Sequence, residues 1–435
     1  MKRPIIISLL IVALAFVCLG ISAVIFFTAN GGFPTNNPFD VRNISSEVEE
    51  SKTFKVDAEK PITLNVASAA GDVTVTGADV DTVQVKVIKT AYDSSQARAD
   101  DEVKGIKYTI EQTGNTIALN YELPKSMNFN NQINTVDFIV TLPAEVSVDI
   151  NTGAGGVSVS GTEGDVSIVN SFGDIDLANL AGELNVETGS GGVVAVSVDA
   201  DGKDISLNSG FGSISLEKAS GASITLLSES GTLDLEDVRA TRNMDLTSTF
   251  GNVNFDRGSA GSLTVSTDSG AVSLTSVNVR GDLVVEDEFG NINLEKVNAE
   301  SYDIHTNSGS IILDGAQNAV KAYTGFGNIS IMNAEDATLD LNTDSGAIDF
   351  EGSLGEGPHN LHSEFGEIEV SIPADAALNV DFKTDFGKII SDLPVTMTLS
   401  GDLNQAHQAG TINGGGSQFN VSTKSGGITI KVLGG

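Results

Sequence analysis

Two histidines in one short stretch are the residues that most resemble a metal site. His359 and His362 are followed closely by Glu364, and imidazole and carboxylate groups are ordinary zinc ligands. The stretch GEGPHNLHSEFG, residues 355–366, has turn composition. It lacks the helical HExxH arrangement that brings two imidazoles to one face. The pattern therefore predicts a solvated turn without a metal, and no catalytic, cofactor-binding or metal-binding residue is predicted elsewhere.

Three aspartates precede glycine-containing turns. Asp268 and Asp344 begin Asp-Ser-Gly triplets, and Asp385 begins Asp-Phe-Gly. The last triplet resembles a kinase magnesium motif, but the His-Arg-Asp and Ala-Pro-Glu motifs of kinases do not accompany it. The glycine-rich nonapeptide of calcium-binding β-rolls is also absent. We interpret these aspartates as turn residues, and adventitious calcium binding stays open.

Charge and glycine spacing argue against two further kinds of partner. The chain has 24 basic and 58 acidic residues, a formal net charge of −34. Phosphate backbones are bound by clustered Lys and Arg, so a nucleic-acid partner is not expected. The 47 glycines include no G-x-x-x-x-G-K-[ST] sequence, so a nucleotide partner is not expected either.

The only cysteine, Cys18, lies within an apolar stretch. A single cysteine rules out an intrachain disulfide. Acylation as a lipoprotein would require a small residue before the cysteine and usually Leu three positions before it, where Val17 and Ala15 stand. Cys18 is therefore predicted to be a small apolar residue of a membrane helix.

The N-terminus resembles a membrane anchor. Lys2 and Arg3 precede an uncharged apolar run over residues 5–29, long enough to cross a bilayer as a helix. The run is longer than the apolar core of a cleaved signal peptide, although Ile21-Ser22-Ala23 would be a passable cleavage site. We expect residues 1–29 to be a signal-anchor transmembrane helix and 30–44 a linker. The basic N-terminus then stays inside and the bulk of this single-pass cytoplasmic membrane protein is extracytoplasmic.

A short repeat dominates the rest of the chain. Glycines preceded by Ser or Phe recur at intervals of roughly 20 residues, and we call them the marker glycines: 173, 191, 212, 231, 251, 270, 290, 309, 327, 346, 366 and 387. Alternating apolar and polar residues flank each of them, as in Leu283-Val-Val-Glu-Asp before Gly290 and Asn-Ile-Asn-Leu after it. Period-2 alternation is typical of half-buried strands, here with Ile292 and Leu294 inward. A marker glycine would supply positive φ or close backbone approach at a corner.

Stacking is the way such short strand pairs bury a continuous core. The sequence therefore predicts an all-β fold, a single-stranded β-solenoid (β-helix) of about fifteen 19–20-residue coils, preceded by one N-terminal transmembrane helix. Phe172, Phe211, Phe250 and Phe289 fall 39 apart, which would also suit a coil twice as long. Phe365 and Phe386 are only 21 apart, however. We expect the shorter coil, with Phe and Ser alternating in height.

The regular array is predicted to cover residues 141–435, with an N-terminal cap and the first coils over 45–140. Within the cap, residues 106–123 are expected to form a hairpin around Thr113-Gly-Asn115. The interruption at 94–103 would suit a helical turn. Near the C-terminus the pattern fades over 391–418 and returns in Lys424-Ser-Gly-Gly-Ile-Thr-Ile-Lys-Val.

These features resemble those of the bacterial "putative adhesin" family. The resemblance rests on the Ser-Gly-x-Ile-x-Leu units, the membrane segment and the strand VDFIVTLP at 136–143, and it covers about residues 50–435. It implies a β-strand-repeat domain of unknown function, similar to the head domains of autotransporter adhesins. It implies no catalytic residues.

The expected function is a non-catalytic cell-envelope β-solenoid, an adhesin-like module that binds an unknown surface ligand, glycan or protein. Outward positions are mostly Asn, Asp, Ser, Thr and Glu, without the aromatic platforms that stack on sugars. A β-helical carbohydrate-active enzyme is one alternative, but units of such short and even length leave no room for the long loops of a catalytic cleft. A purely structural envelope scaffold is the other alternative.

Overall fold

The computed structural model describes residues 44–57, 59–123, 133–200, 202–397 and 406–434. The predicted membrane anchor, residues 1–29, lies outside these ranges, as does the predicted linker up to residue 43. In the part of the chain that is described, no helix is long and apolar enough to cross a membrane.

The N-terminal region combines antiparallel and parallel strands around one helix. Its elements are β1 (Ile44–Lys55), β2 (Ile62–Ser68), β3 (Val73–Ala78), β4 (Thr82–Asp93), α1 (Gln96–Gly105), β5 (Tyr108–Thr113), β6 (Thr116–Tyr121) and β7 (Thr135–Pro143). Strands β5 and β6 form the predicted antiparallel hairpin. Helix α1 replaces the expected helical turn and buries Ala99 and Val103.

The regular array follows as a long series of short strands. They are β8 (Val146–Thr152), β9 (Val157–Ser160), β10 (Val166–Phe172), β11 (Ile175–Ala181), β12 (Leu184–Ser190), β13 (Val193–Asp199), β14 (Ile205–Phe211), β15 (Ile214–Gly221), β16 (Ile224–Ser230), β17 (Leu233–Ala240), β18 (Asn243–Phe250), β19 (Val253–Ala260), β20 (Ser262–Ser269), β21 (Val272–Val279), β22 (Asp282–Phe289), β23 (Ile292–Glu295), β24 (Ser301–Ser308), β25 (Ile311–Asp314), β26 (Gln317–Phe326), β27 (Ile329–Ser345), β28 (Ile348–Leu354), β29 (His359–Phe365) and β30 (Ile368–Ile372). The C-terminal strands are β31 (Leu378–Phe386), β32 (Ile389–Ser391), β33 (Val395–Thr396), β34 (His407–Ile412), β35 (Ser417–Ser425) and β36 (Ile428–Val432).

From β8 to β25, each strand pairs in parallel with the strand two further along the chain. Strand β10 lies beside β12 with Val166 opposite Leu184, and β11 lies beside β13 with Ile175 opposite Val193. One coil therefore contains two strands, one in each of two sheets, and we call such a coil a layer. The even-numbered strands β8–β26 form the front sheet, which β29, β35 and β31 continue. The odd-numbered strands β9–β25 form the back sheet, which β28, β30, β36 and β32 continue. The long strand β27 belongs to both sheets.

The all-β solenoid is confirmed, but the expected number of coils is wrong, because the solenoid has about 11 turns rather than fifteen. The end layers are not made by continued winding. Strand β2 lies between β6 and β8, and β3 lies between β7 and β9. At the other end β35 is inserted between β29 and β31, and β36 between β30 and β32. A count of repeats along the sequence treats these out-of-order layers as further coils, so it exceeds the number of turns.

Alternation along each strand builds one core through the length of the molecule. Ile292 and Leu294 are fully buried, as predicted, and Asn293 between them is exposed. The marker glycines allow adjacent corners to touch. A Cβ added to Gly309 would lie 1.7 Å from the carbonyl oxygen of Gly290, so close backbone approach explains this glycine.

The back sheet contains a bend that the repeat pattern conceals. Leu177 and Leu180 both face inward, and the two residues between them do not. Asn179 sits at this bend with φ near 54°, a left-handed conformation that shifts the inward phase by one residue. The equivalent residues of the next layers also have φ between 52° and 58°: Ser197, Lys218, Asp237, Arg257, Ser276 and Lys296. The spacing I-x-L-x-x-L is the sequence signal for this column.

Candidate functional site

The two histidines of the apparent metal motif point to opposite sides of β29. His359 is fully buried, so the predicted solvated turn is wrong at this residue. Its Nδ1 accepts a hydrogen bond from the Leu339 N–H at 3.3 Å, and its Nε2 lies 3.2 Å from the Gly355 carbonyl oxygen. Burial lowers the pKa of His359, which favours the neutral ring. Outside the core, His362 Nδ1 lies 2.8 Å from Ser422 Oγ. An i, i+3 pair in a strand cannot bind one ion with both imidazoles.

The three turn aspartates do not converge either. We call the end of each front-sheet strand, at the Ser or Phe before its marker glycine, the front-sheet corner. Asp268, Asp344 and Asp385 each stand immediately before this corner and are exposed. They belong to β20, β27 and β31, which are separated by intervening layers. Among the described residues no group of three or more His, Cys, Asp or Glu is placed to hold a metal ion.

Along the front-sheet corner the structure exposes a row of aromatic side chains. We call these residues the phenylalanine ridge: Phe172, Phe211, Phe250, Phe289, Phe326, Phe365 and Phe386. Serine occupies the same corner position in the layers between them: Ser190, Ser230, Ser269, Ser308, Ser345 and Ser425. The phenylalanines are 54% to 80% exposed. The outward surface, which was expected to lack aromatic platforms for sugars, therefore does expose aromatic rings.

The ridge continues across the inserted layer. Phe365 and Phe386, which follow each other by a single repeat in sequence, are separated in space by Ser425 of β35. The apparent slip in the repeat is thus a consequence of chain order, and the alternation of Phe and Ser in height is confirmed along the whole corner.

The front sheet carries a second aromatic feature on its outward face. His305 and Tyr323 of adjacent layers stack with ring centroids 4.8 Å apart and planes 16° apart. Tyr323 donates a hydrogen bond to Asp344 Oδ2 at 3.0 Å, and this contact raises the pKa of the tyrosine. The stack lies in the same outward column as Asn342 and His362. It is a small platform surrounded by amide, hydroxyl and carboxylate groups. It could not be recognised from the sequence, because the two rings are adjacent only in the stacked layers.

A shallow recess on the back sheet is strongly acidic. Asp234 accepts a hydrogen bond from Asn254 Nδ2 at 2.7 Å. The neighbouring Glu236 and Asp256 pair with the guanidinium of Arg257. Their charge is therefore partly compensated within the surface, and the recess presents fixed ion pairs rather than a free carboxylate cluster.

Inside the front-sheet corner runs a column of buried hydroxyl groups. Ser209, Thr324 and Thr343 donate to the carbonyl oxygens of marker glycines in the preceding layers, at 2.8–3.0 Å. Asp287 occupies the same column in β22. Its Oδ1 accepts from the Phe289 N–H at 3.1 Å, whereas its buried Oδ2 has no hydrogen-bond partner. Burial raises the pKa of Asp287 to about 6. This carboxyl has no catalytic partner in the geometry around it and faces the core.

Comparison with known proteins gives one family and several structural likenesses. A family model described as Toastrack DUF4097 matches residues 63–262 and 256–431. No curated protein matches the chain.

The solved structures to which the chain is similar share little sequence with it. A "putative cell adhesion protein" from Clostridium sporogenes is 12% identical, with a TM-score of 0.23, over 89% of this chain and 100% of that one. A "putative adhesin" from Bacteroides fragilis is 12% identical, with a TM-score of 0.22, over 89% and 98%. A "putative adhesin" from Parabacteroides merdae is 10% identical, with a TM-score of 0.24, over 69% and 95%.

Proposed function

This chain belongs to the Toastrack DUF4097 family, a β-strand-repeat domain of unknown function, and from that premise we propose that it is a non-catalytic, adhesin-like binding module of the cell envelope. In this proposal the outward face of the front sheet contacts a surface ligand through many equivalent layers. The ligand is a glycan or a protein.

The observation that carries the proposal is the His305–Tyr323 stack on a regular polar face. The two rings lie face to face with centroids 4.8 Å apart, and Tyr323 is hydrogen-bonded to Asp344. Their edges and outer faces can contact a sugar ring or a planar side chain. Asn, Asp and Ser side chains on the surrounding layers offer hydrogen-bond groups at the layer spacing. Such a repetitive surface suits weak, multivalent contact rather than a deep pocket.

The turn aspartates and the acids near Arg257 do not have the arrangement of a hydrolytic site. Glycosidases use a pair of carboxyl groups about 5–10 Å apart across the scissile bond. The exposed turn carboxylates Asp268, Asp344 and Asp385 lie in layers that are not adjacent, and the acids near Arg257 are ion-paired. The short and even spacing of the marker glycines keeps the corners short.

A binding screen of the full chain tests the proposal. The protein in nonionic detergent is presented to a glycan array and to bacterial and host cell surfaces, with polysaccharide-cleavage assays in parallel. We expect binding without cleavage, weakened several-fold by Tyr323→Ser together with His305→Ser. Ser330→Ala on the back sheet is the matched control. Cleavage of any polysaccharide would overturn the non-enzyme proposal, and absence of binding to every surface would leave a structural scaffold.

We further propose that residues 5–29 anchor the protein in the cytoplasmic membrane, with the chain after them outside. The support is the basic N-terminus before an uncharged apolar run. Intact-mass measurement of the membrane-extracted protein is expected to find the whole chain. A mature N-terminus near residue 24 or 30 would show cleavage instead.

A further inference from the structure

Aromatic pairing within the molecule does not explain the alternation of Phe and Ser on the phenylalanine ridge. Layers are about 4.8 Å apart, so ridge rings in alternate layers are about 10 Å apart. Aromatic rings interact at centroid distances of about 4.5–7 Å, and no ridge ring is paired with another aromatic ring in the described part of the chain. The side chains are also more than half exposed. Packing within the molecule therefore does not require phenylalanine at these positions.

The alternation is nevertheless kept where the chain leaves its regular winding. Ser425 comes from a strand inserted out of order, and it still separates Phe365 from Phe386. At this end the large and small residues alternate in space and not in sequence. The strands therefore preserve the alternation of Phe and Ser between neighbouring layers, and not along the chain.

The gaps between the rings fit one further aromatic ring each. Every gap has serine at its centre and is about 10 Å long. A ring placed in the middle of a gap would lie about 5 Å from the rings on both sides, within the distance range of aromatic pairs. A partner that presents rings at this same period is a second phenylalanine ridge.

The available area is sufficient for a stable pair. A phenylalanine side chain buries roughly 150–250 Å² when it is enclosed, and the seven ridge residues are 54% to 80% exposed. Covering them would remove on the order of 800 Å² per copy, close to the area that each partner contributes to a standard interface.

We propose that the phenylalanine ridge is a homophilic contact, in which the ridge of one molecule interdigitates with that of a second copy running antiparallel. A two-fold axis halfway between a Phe layer and a Ser layer places every ring opposite a gap, and the contact closes on itself as a dimer. This inference rests on the proposed function in one respect, because it names a second copy of the chain as one partner of the module. The antiparallel arrangement suits two molecules anchored in opposing surfaces.

Charge makes the contact dependent on salt. Glu288 and Asp385 stand beside ridge phenylalanines and are exposed, and the whole chain carries −34. Screening shortens the reach of this repulsion from about 30 Å at 0.01 M salt to about 8 Å at 0.15 M. Association is therefore expected to strengthen as salt is added.

Sedimentation equilibrium of the full chain in nonionic detergent, at low and at physiological salt, tests the proposal. We expect a dimer that tightens with salt. Phe211→Ser, Phe250→Ser and Phe289→Ser together should weaken it at least tenfold. These substitutions introduce the residue that alternate layers already carry, so the fold should be retained, and circular dichroism checks this. The matched control replaces exposed apolar residues away from the ridge, Val194→Ser with Ile312→Ser, and should leave the dimer unchanged.

A second variant separates interdigitation from general stickiness. Ser230→Phe with Ser269→Phe fills two gaps, so an interdigitated dimer is weakened although apolar surface is added. Tighter association of this variant, or a wild-type protein that stays monomeric at all salt concentrations, would overturn the proposal. Spin labels at Ser171→Cys, with Cys18→Ser, should be far apart in an antiparallel dimer, and a short distance would contradict that orientation.

The surface-binding screen distinguishes this inference from the proposed function. If the triple ridge variant stays bound to glycans or cells while losing the dimer, the ridge is the homophilic site and the front face binds the other ligand. If the wild type is a monomer and the ridge variant loses surface binding, the ridge serves that ligand, and the homophilic inference is wrong. A dimer without any surface binding supports the inference and removes the proposed surface ligand.

Discussion

Asp287 shows how one residue departs from the chemistry of its column. Its neighbours in the column place a hydroxyl on a marker-glycine carbonyl, with donor–acceptor distances of 2.8–3.4 Å. An ionised carboxylate cannot donate, and its buried Oδ2 has no partner. Burial raises the pKa of Asp287 to about 6, so the neutral carboxyl is the form that the fold favours.

Replacing this carboxyl by a hydroxyl should stabilise the protein at neutral pH. The folded pKa of Asp287, about 6, lies above its unfolded value. The unfavourable contribution is therefore absent below about pH 4, grows as pH rises toward 6, and is fully present above pH 6. Asp287→Thr is expected to raise the free energy of unfolding at pH 7.5 by on the order of 2 kcal/mol. Denaturant unfolding at pH 7.5 and pH 4.5 measures the difference.

The control for this substitution is Glu286→Thr, which removes an exposed acid from the same strand. It should change stability little at either pH. An equal gain from both variants would mean that reduced net charge, and not relief of the buried carboxylate, is the cause.

At the scale of the strand, the inward and outward positions have very different tolerance to charge. Leu294→Asp places an unpaired carboxylate in the core and should cost several kcal/mol, since buried unpaired charge is among the costliest changes. Asn293→Asp changes an exposed position and should be nearly silent. Thermal melts of the two variants compare them directly, and equal melting temperatures would refute the assignment of faces.

At the corner, the marker glycines set how closely two layers can approach. Gly309→Ala puts a methyl group 1.7 Å from the carbonyl oxygen of Gly290. The oxygen belongs to the backbone and the added Cβ is fixed in place by the backbone of residue 309, so the layers must separate and lose hydrogen bonds there. We expect a loss of several kcal/mol in unfolding free energy.

Gly105→Ala is the matched glycine substitution. No atom lies within 4 Å of the added Cβ at this end of α1, so stability should be unchanged or slightly increased. If Gly309→Ala proved equally harmless in denaturant unfolding, the corners would have to be more adaptable than the layer stacking indicates.

At the scale of the molecule, each layer contacts only its neighbours, so damage should remain local. Phe419 in the inserted strand β35 is fully buried and packs edge-on against His359 and Phe382, with centroids 6.1 Å and 5.7 Å away. Phe419→Ala should cost about 3–5 kcal/mol. Amide hydrogen exchange is expected to accelerate over residues 359–397 and 406–434 and to stay unchanged over 146–200 and 202–269.

Phe255→Ala provides the comparison, because Phe255 is equally buried in the middle of the array. It should accelerate exchange in the layers around β19 and leave the C-terminal layers protected. A uniform increase along the whole chain in either variant would show global rather than nearest-neighbour cooperativity.

The sequence by itself determined the all-β solenoid, the two-strand coil and the inward positions. These follow from local rules, because period-2 alternation and a glycine at a short, nearly constant interval allow only stacked short strands with tight corners. The alternation of Phe and Ser between successive layers was also predicted from spacing, and the β5–β6 hairpin was predicted from its turn residues. His359 was predicted to be solvated because its turn composition is polar, whereas its strand phase places it in the core.

Tertiary structure alone decided the arrangement of the ends and the surface. Strand insertion depends on which distant edges remain unpaired, so the repeat count predicted fifteen coils where about 11 turns exist. The His305–Tyr323 stack and the unbroken phenylalanine ridge arise between layers, and Ser425 joins the ridge beside Phe365 from a strand much later in the chain. Which residues of adjacent layers become neighbours depends on how their strands are aligned when the layers stack. A one-dimensional pattern contains the residues of a surface, and only the folded layers determine which of them become adjacent.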